Sequence, residues 1–252
     1  MSGATATPNI VLYDIPGKLE GYPWSPNTMK TRYSLGYKGI PFSTEWIEFP
    51  DIEVRMKAIR AKPTSQQDGK DRYTLPTIHD TSTGAIISDS LAIAQYLDET
   101  YPDTPALLPA GKSEVAALIM GLRSALTAAS ASDLLFIFVK ATEALNPASQ
   151  EYYKRAKEEK YGVAWAKFPP AAEEKDWEAL EKGWNAVDKW YEKHDGKFLL
   201  GDEPCFANFS VGALLKWCSL VFTADEWNRI QGWHGGRWAS LLVWLEPYFV
   251  LG

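Results

Sequence analysis

The feature that most constrains this chain is a proline, Pro76, placed directly before a predicted strand at Thr77–Asp80. Proline removes a hydrogen-bond donor from a sheet, so we expect a cis Leu75-Pro76 bond in a turn that serves a ligand. Two helix starts flank this turn in the sequence, Trp24-Ser25-Pro26 before it and Ser88-Asp89-Ser90 after it. Helix starts offer hydroxyls, unpaired N–H groups and a positive dipole end. The three turns together predict a site for a small anionic peptide.

The amino-terminal part of the chain alternates between strand and helix patterns. A short buried strand, a helix and a second, alternating strand predict a βαβ unit with a parallel pair. A further helix, a hairpin and an amphipathic helix complete the order βαβαββα. The segment from Lys62 to Arg72 is polar and rich in turn-forming residues, which predicts a mobile loop. The predicted elements are Ile10–Asp14, Pro26–Tyr37, Phe42–Phe49, Asp51–Ala61, Thr77–Asp80, Ala85–Ile87 and Leu91–Thr100.

The pattern changes to helices alone after the proline-rich run Tyr101-Pro102-Asp103-Thr104-Pro105, which is typical of a linker. We therefore expect a first domain at 1–102, a linker at 103–112 and an all-helical domain at 113–252. The predicted helices of the second domain are Ser113–Leu145, Gln150–Ala166, Glu173–Lys193 and Asn208–Phe222.

Charge and cysteine content exclude several classes of function. The net charge of -6 leaves no basic footprint for nucleic acid or an anionic membrane. The first residues lack the basic and apolar regions of a secretory signal, and no apolar run could span a bilayer, so we expect a soluble cytoplasmic protein. The two cysteines, Cys205 and Cys218, are too far apart along one helical pattern for a disulfide. The three histidines, His79, His194 and His234, are too scattered to indicate a metal site.

Four motifs carry a resemblance to a known family: Trp24 to Arg32, Tyr73 to Ile78, Ser88 to Leu97, and Gly201 to Phe209. In this order and spacing the chain resembles a cytosolic glutathione transferase, most closely the fungus-specific A class, which is etherase-like and of the serine type. The resemblance implies a thioredoxin-like α/β domain of order βαβαββα followed by an all-α domain. One departure lies in the last motif, where Cys205 and Asn208 replace the usual Ser or Thr and Asp of a capping box.

The resemblance also implies roles for single residues. Ser25 matches the catalytic position, where a hydroxyl donates to the sulfur of glutathione, and Asn27 or Thr28 would supply an additional donor. Ser25 also has a structural interpretation as the N-cap of its helix, and Ser88, Asp89 and Ser90 have the same interpretation at theirs. The backbone of Leu75 and Pro76 would pair with the cysteinyl unit of glutathione. Asp89 and Ser90 would hold its γ-glutamyl end. The candidates for binding its glycyl carboxylate are Lys57, Arg60 and Lys62. Glutathione is thus the implied co-substrate, with no metal.

The second substrate is expected in an apolar cleft between the domains, with Tyr22, Trp24, Leu122, Ala125 and Phe136 as walls. Aromatic walls favour aromatic electrophiles or phenolic compounds, bound for conjugation or for sequestration. The alternative function is therefore a non-catalytic carrier, or ligandin, for glutathione and hydrophobic ligands, and a third is a protein-interaction module that keeps only the fold. The resemblance further implies a homodimer, with the segment 51–72 at the subunit seam or the cleft mouth.

Overall fold

The computed structural model describes residues 9–19, 21–109, 117–118, 121, 135–193 and 195–252. Within these ranges an α/β part with a four-stranded sheet is followed by helices alone. This confirms the predicted class, a thioredoxin-like domain followed by an all-helical one. Among the helices described, none is long and apolar enough to cross a membrane.

The four-stranded sheet has the order β2-β1-β5-β6. The elements of this part are β1 (Ile10–Asp14), α1 (Pro26–Lys38), β2 (Phe42–Trp46), α2 (Ile52–Ala58), β3 (Ser65–Gln67), β4 (Lys70–Arg72), β5 (Thr77–Asp80), β6 (Ala85–Ser88) and α3 (Ser90–Thr100). β1 and β2 run parallel through the α1 crossover, whereas β5 is antiparallel to both β1 and β6. The predicted βαβ unit and hairpin are therefore confirmed.

Two predictions for the chain between α1 and β5 were wrong. The second strand ends at Trp46, and Phe49 instead begins a short 3-10 helix, Phe49–Asp51. The predicted loop at 62–72 contains the antiparallel pair β3 and β4. Asp68 and Gly69 connect the two strands with φ values of 51° and 73°. Positive φ at both central residues is the geometry that an Asp-Gly hairpin turn requires.

Helix α1 is the element that joins the sheet to the helical part. It ends at Gly39, whose left-handed φ of 65° is the usual conformation of a helix C-cap. Its outer face packs against a long helix of the second part, where the rings of Tyr33 and Phe209 stack with centroids 5.7 Å apart. A Cβ at Gly36 would lie 2.2 Å from the carbonyl oxygen of Tyr248, so this close approach requires glycine.

The helices of the second part are α4 (Leu135–Glu143), α5 (Pro147–Tyr161), α6 (Glu174–Tyr191), α7 (Phe206–Val221), α8 (Ala224–Gly232) and α9 (Arg237–Leu245). Of the predicted helix Ser113–Leu145, the described part is mainly α4. The predicted helix at 150–166 ends earlier, at Tyr161, because Gly162 adopts a left-handed φ of 64° there. The departure at Cys205 and Asn208 leaves a working cap: the Asn208 side-chain oxygen accepts from the Cys205 N–H at 3.1 Å. Both cysteines are free and buried.

A buried ion pair lies beneath the sheet edge at which β1 ends. Asp14 and Arg32 are both fully buried, with 2.8 Å between the Arg32 Nε and the Asp14 carboxylate. Burial raises the pKa of Asp14, although the Arg32 charge opposes that shift. The Arg32 guanidinium also donates to the Thr44 hydroxyl and to the carbonyls of Val250 and Leu251. One side chain therefore fastens α1 to β1, to β2 and to residues 250–251.

Candidate functional site

The sheet register brings two of the predicted turns to one edge, and the third is held there because the Trp24 N–H donates to the Ile15 carbonyl, just after β1, at 3.0 Å. Tyr13, near the end of β1, lies opposite Thr77 at the start of β5, and Thr77 lies opposite Ser88 at the end of β6. The turn before β5 and the start of α3 therefore lie at the edge where β1 ends and its chain continues toward α1. The Asp89 N–H donates to the Pro76 carbonyl at 3.2 Å, which ties two of the turns together. The Leu75-Pro76 bond is cis, as the sequence predicted.

Ser25 is the N-cap of α1, and its side chain is almost fully buried, at 4% exposure. Its hydroxyl oxygen accepts from the Asn27 N–H at 3.2 Å. Accepting that bond leaves the hydroxyl proton available, because no acceptor for it is found among the described residues. The structural and the catalytic interpretation of Ser25 are thus compatible: the oxygen caps the helix while the proton can face an anion.

The two candidates for an additional donor differ sharply. Thr28 is fully buried, and its hydroxyl donates to the Ser25 carbonyl at 2.9 Å. It serves the helix start and offers no proton to a ligand in this arrangement. Asn27 is exposed, and its side-chain oxygen accepts from the Lys30 ammonium at 2.9 Å. Its side-chain amide nitrogen has no hydrogen-bond partner in the described part of the chain, so Asn27 is the better candidate.

Leu75 presents its backbone rather than its side chain. The side chain is buried, at 6% exposure, and contributes to the core. Neither the N–H nor the C=O of Leu75 has a hydrogen-bond partner in the described part of the chain. An extended peptide could pair with these two groups as a short added strand.

Asp89 and Ser90 differ in their hydrogen bonds at the start of α3. One carboxylate oxygen of Asp89 accepts from the Leu91 and Ala92 N–H groups, at 2.9 and 3.1 Å, so Asp89 is the N-cap. Its φ of 83° is a conformation that non-glycine residues rarely adopt and that is found at binding sites. The Ser90 hydroxyl has no partner among the described side chains and backbone groups. An anion placed there would meet a hydroxyl and the positive end of the helix.

Lys57 lies beside the segment that leads to the cis bond. Its ammonium is 5.5 Å from the centre of the Tyr73 ring and forms an exposed ion pair with Glu53 at 2.6 Å. Such a pair is weak in water, so the ammonium can exchange its partner for a ligand carboxylate at small cost.

The structure places the predicted cleft walls in different environments. Phe136 is fully buried against Trp177 and Phe222, so it belongs to the helical core and is not a cleft wall. Trp24 is buried as well, and its ring is the centre of an edge-on cluster with Phe49, Tyr153 and Trp217. Its indole N–H donates to the Ala141 carbonyl at 2.9 Å, which fixes the chain before Ser25 to α4. Leu122 and Ala125 lie outside the described residues.

Of the predicted walls that the structure describes, Tyr22 lines a cleft. This cleft has a volume of about 520 Å³ and lies between the loop after β1, the segment after β2 and the turn between α4 and α5. Its lining residues are Pro16, Gly17, Lys18, Gly21, Tyr22, Trp46, Glu48 and Asn146. The sequence reasoning missed Trp46, Glu48 and Asn146. Asn146 and Ser149 both donate to the Glu48 carboxylate, so the far wall of the cleft is a contact between the two parts of the chain.

Comparison with known proteins shows which family the chain belongs to. Residues 24–100 match the family described as the glutathione S-transferase N-terminal domain, and residues 120–248 match the glutathione S-transferase C-terminal domain. The glutathione S-transferase-like protein ustS of Aspergillus flavus is 34% identical over 88% of this chain and 85% of its own. The chain therefore belongs to the glutathione S-transferase family.

Two solved fungal structures are similar over nearly the whole fold. A glutathione S-transferase of Ceriporiopsis subvermispora, solved in complex with glutathione, is 40% identical with a TM-score of 0.89, covering 96% of this chain and 98% of its own. Glutathione transferase GSTFuA2 of Phanerochaete chrysosporium is 33% identical with a TM-score of 0.87, covering 97% and 99%.

Proposed function

We propose that this chain is a serine-type glutathione transferase that activates the thiol of glutathione for attack on hydrophobic, aromatic electrophiles. The observation that carries the proposal is the position of the Ser25 hydroxyl. Its proton has no acceptor among the described residues, and Ser25 itself is the N-cap of α1. The hydroxyl lies at the same sheet edge as the cis Leu75-Pro76 turn and the Ser90 hydroxyl. Family membership and a relative solved with glutathione support the co-substrate.

In this proposal each end of glutathione meets a matching group. The γ-glutamyl carboxylate accepts from the Ser90 hydroxyl and the first turn of α3, while the amine faces the second oxygen of Asp89. The cysteinyl unit pairs with the Leu75 backbone, and Lys57 holds the glycyl carboxylate. The sulfur then lies at the start of α1, where the Ser25 hydroxyl and the helix dipole favour the thiolate over the thiol.

The chemical step is a displacement or an addition at carbon. The thiolate forms a new S–C bond, and either a leaving group departs with its electron pair or the electrophile takes up a proton from water. Tyr22 and Trp46, on two walls of the cleft, would stack on an aromatic electrophile. Homodimer formation remains part of this proposal and is tested by sedimentation.

The direct test measures turnover of a chromogenic aryl electrophile with and without glutathione, alongside retention on immobilised glutathione. An enzyme is retained, is eluted by free glutathione, and accelerates the reaction only when glutathione is present. Retention without turnover across several electrophiles would favour the carrier function instead. Absence of retention would leave only the fold in common with the family.

Substitutions at the start of α3 separate a role in binding glutathione from a role in capping the helix. Ser90→Ala removes a hydroxyl that faces the proposed carboxylate, and Asp89→Asn removes a charge while keeping the capping oxygen. We expect each change to weaken glutathione binding by ~1 to 3 kcal/mol, measured by calorimetry, because charge-assisted hydrogen bonds are lost. Asp89→Ala additionally loses the helix cap, so its thermal stability should fall while that of Asp89→Asn is retained. Unchanged dissociation constants in Ser90→Ala and Asp89→Asn would restrict both residues to the helix start.

A further inference from the structure

Lys157 occupies an unusual position for a lysine. It lies on α5, half-buried, with its ammonium 4.2 Å from the centre of the Phe138 ring and 4.7 Å from that of Tyr153. Contact with two ring faces stabilises a cation only in part, because it replaces water without supplying a negative charge.

Two carboxylates on the same helix have other partners. Glu151 pairs with Lys154 at 3.0 Å, and Glu158 accepts from the Trp165 N–H at 2.6 Å. Among the described residues Lys157 has neither an ion pair nor a hydrogen bond. Burial, with a smaller contribution from the like charge of Lys160, lowers the pKa of Lys157 to about 8. This amine is therefore a cation at neutral pH with no counter-ion in the part of the chain that the structure describes.

Aromatic surface surrounds the ammonium. The Phe138 and Tyr161 rings, with centroids 5.3 Å apart, are both half-buried, and so is Trp165. Trp165 stacks on Phe168 at 4.8 Å, and Phe168 meets the Tyr161 ring at 6.3 Å. A cation beside partly exposed rings matches a ligand that carries both a flat apolar body and a negative charge.

We propose that Lys157 anchors a second ligand site on the helical part of the chain, for a small aromatic carboxylate. The carboxylate accepts from the Lys157 ammonium and supplies the missing counter-charge, while its ring packs on Phe138 and Tyr161. The site does not depend on Ser25 or on thiol activation, so it stands or falls separately from the proposed transferase reaction.

The test compares 2-naphthoate with its neutral analogue 2-naphthamide by equilibrium dialysis of the full chain, with saturating glutathione present. We expect the wild type to bind the carboxylate at least about tenfold more tightly than the amide, since one charge-assisted hydrogen bond is worth that much. Lys157→Met should abolish this preference. Lys154→Met, one turn away on the same helix and paired with Glu151, is the matched control and should retain it. An intact preference in Lys157→Met overturns the proposal, as does tighter binding of 2-naphthoate when glutathione is left out.

A pH series with Lys157→Arg tests the same site without removing its charge. The titratable groups near Lys157 on its own helix are Lys160, Tyr153 and Tyr161, and α4 faces it with the uncharged Phe138 ring. A group with a pKa near 8 is charged below that pH and neutral above it, so wild-type affinity for 2-naphthoate should fall between pH 7 and pH 9. Lys157→Arg stays charged throughout and should show no such fall. Parallel pH curves for the two proteins overturn the proposal even if Lys157→Met does not fold.

Discussion

Ser25→Ala is expected to lower turnover by ~10 to 1000 fold, with a much smaller loss of glutathione affinity. In the proposed function the Ser25 hydroxyl stabilises charge that is present on the thiolate and absent from the thiol, so its removal should act on the reactive form of glutathione. The pH dependence of kcat/KM should move to higher pH in the variant, because the bound thiol then ionises less readily. Steady-state kinetics with one aryl electrophile across a pH series makes the measurement.

Two further variants separate the donor from the cap. Ser25→Gly removes the hydroxyl but retains most of the capping stability, since glycine is nearly as good an N-cap. Thr223→Ala removes a cap of another helix, α8, where the threonine oxygen accepts from the Glu226 N–H at 3.4 Å. We expect Ser25→Gly to be as slow as Ser25→Ala and Thr223→Ala to be as fast as the wild type. Near-normal turnover in Ser25→Gly would assign Ser25 to the helix start alone.

Arg32→Leu is expected to destabilise the protein by ~3 to 5 kcal/mol, because it leaves the buried Asp14 carboxylate without its counter-charge. Lys57→Met breaks the exposed pair with Glu53 and should leave the free energy of unfolding close to that of the wild type. Chemical denaturation of both variants measures the difference. Equal midpoints would mean that the buried pair contributes no more than an exposed one.

The pH dependence of the Arg32→Leu defect has a definite sign. Burial already raises the pKa of Asp14 above its ordinary value, and loss of the Arg32 charge removes a contribution that lowers it. A group whose pKa is higher in the folded state binds more protons there, so folding is favoured as the pH falls and disfavoured as it rises. The destabilisation should therefore be smaller in mildly acidic solution than at neutral pH. A defect that grows on acidification would contradict this account.

The elements around the site could be predicted because their signals are local. A proline before a strand, a Ser-Pro helix start and a cluster of capping residues each indicate one backbone geometry, and all three are present where predicted. The missed hairpin also had a local signal, since Asp68-Gly69 is a strong hairpin turn, but its strands are exposed on both faces and show no apolar alternation.

Other features depend on contacts between distant parts of the chain. The sequence offers no reason to bury Arg32, because its partners include Asp14 and the carbonyls of residues 250–251. The sequence predicts Trp24 as a wall of the apolar cleft, whereas packing against Tyr153 and Trp217 buries its ring. Side-chain direction at such positions is decided by the second domain, which no local pattern specifies.

The bonds from Arg32 to residues 250–251 also bear on the order of folding during synthesis. Domains commonly fold from the amino terminus while the rest of the chain is still being made. Here α1 leaves the ribosome long before residues 250–251, so the Arg32 guanidinium lacks two of its carbonyl acceptors until those residues follow. Arg32 therefore remains incompletely hydrogen-bonded while the 219 residues up to Leu251 are translated.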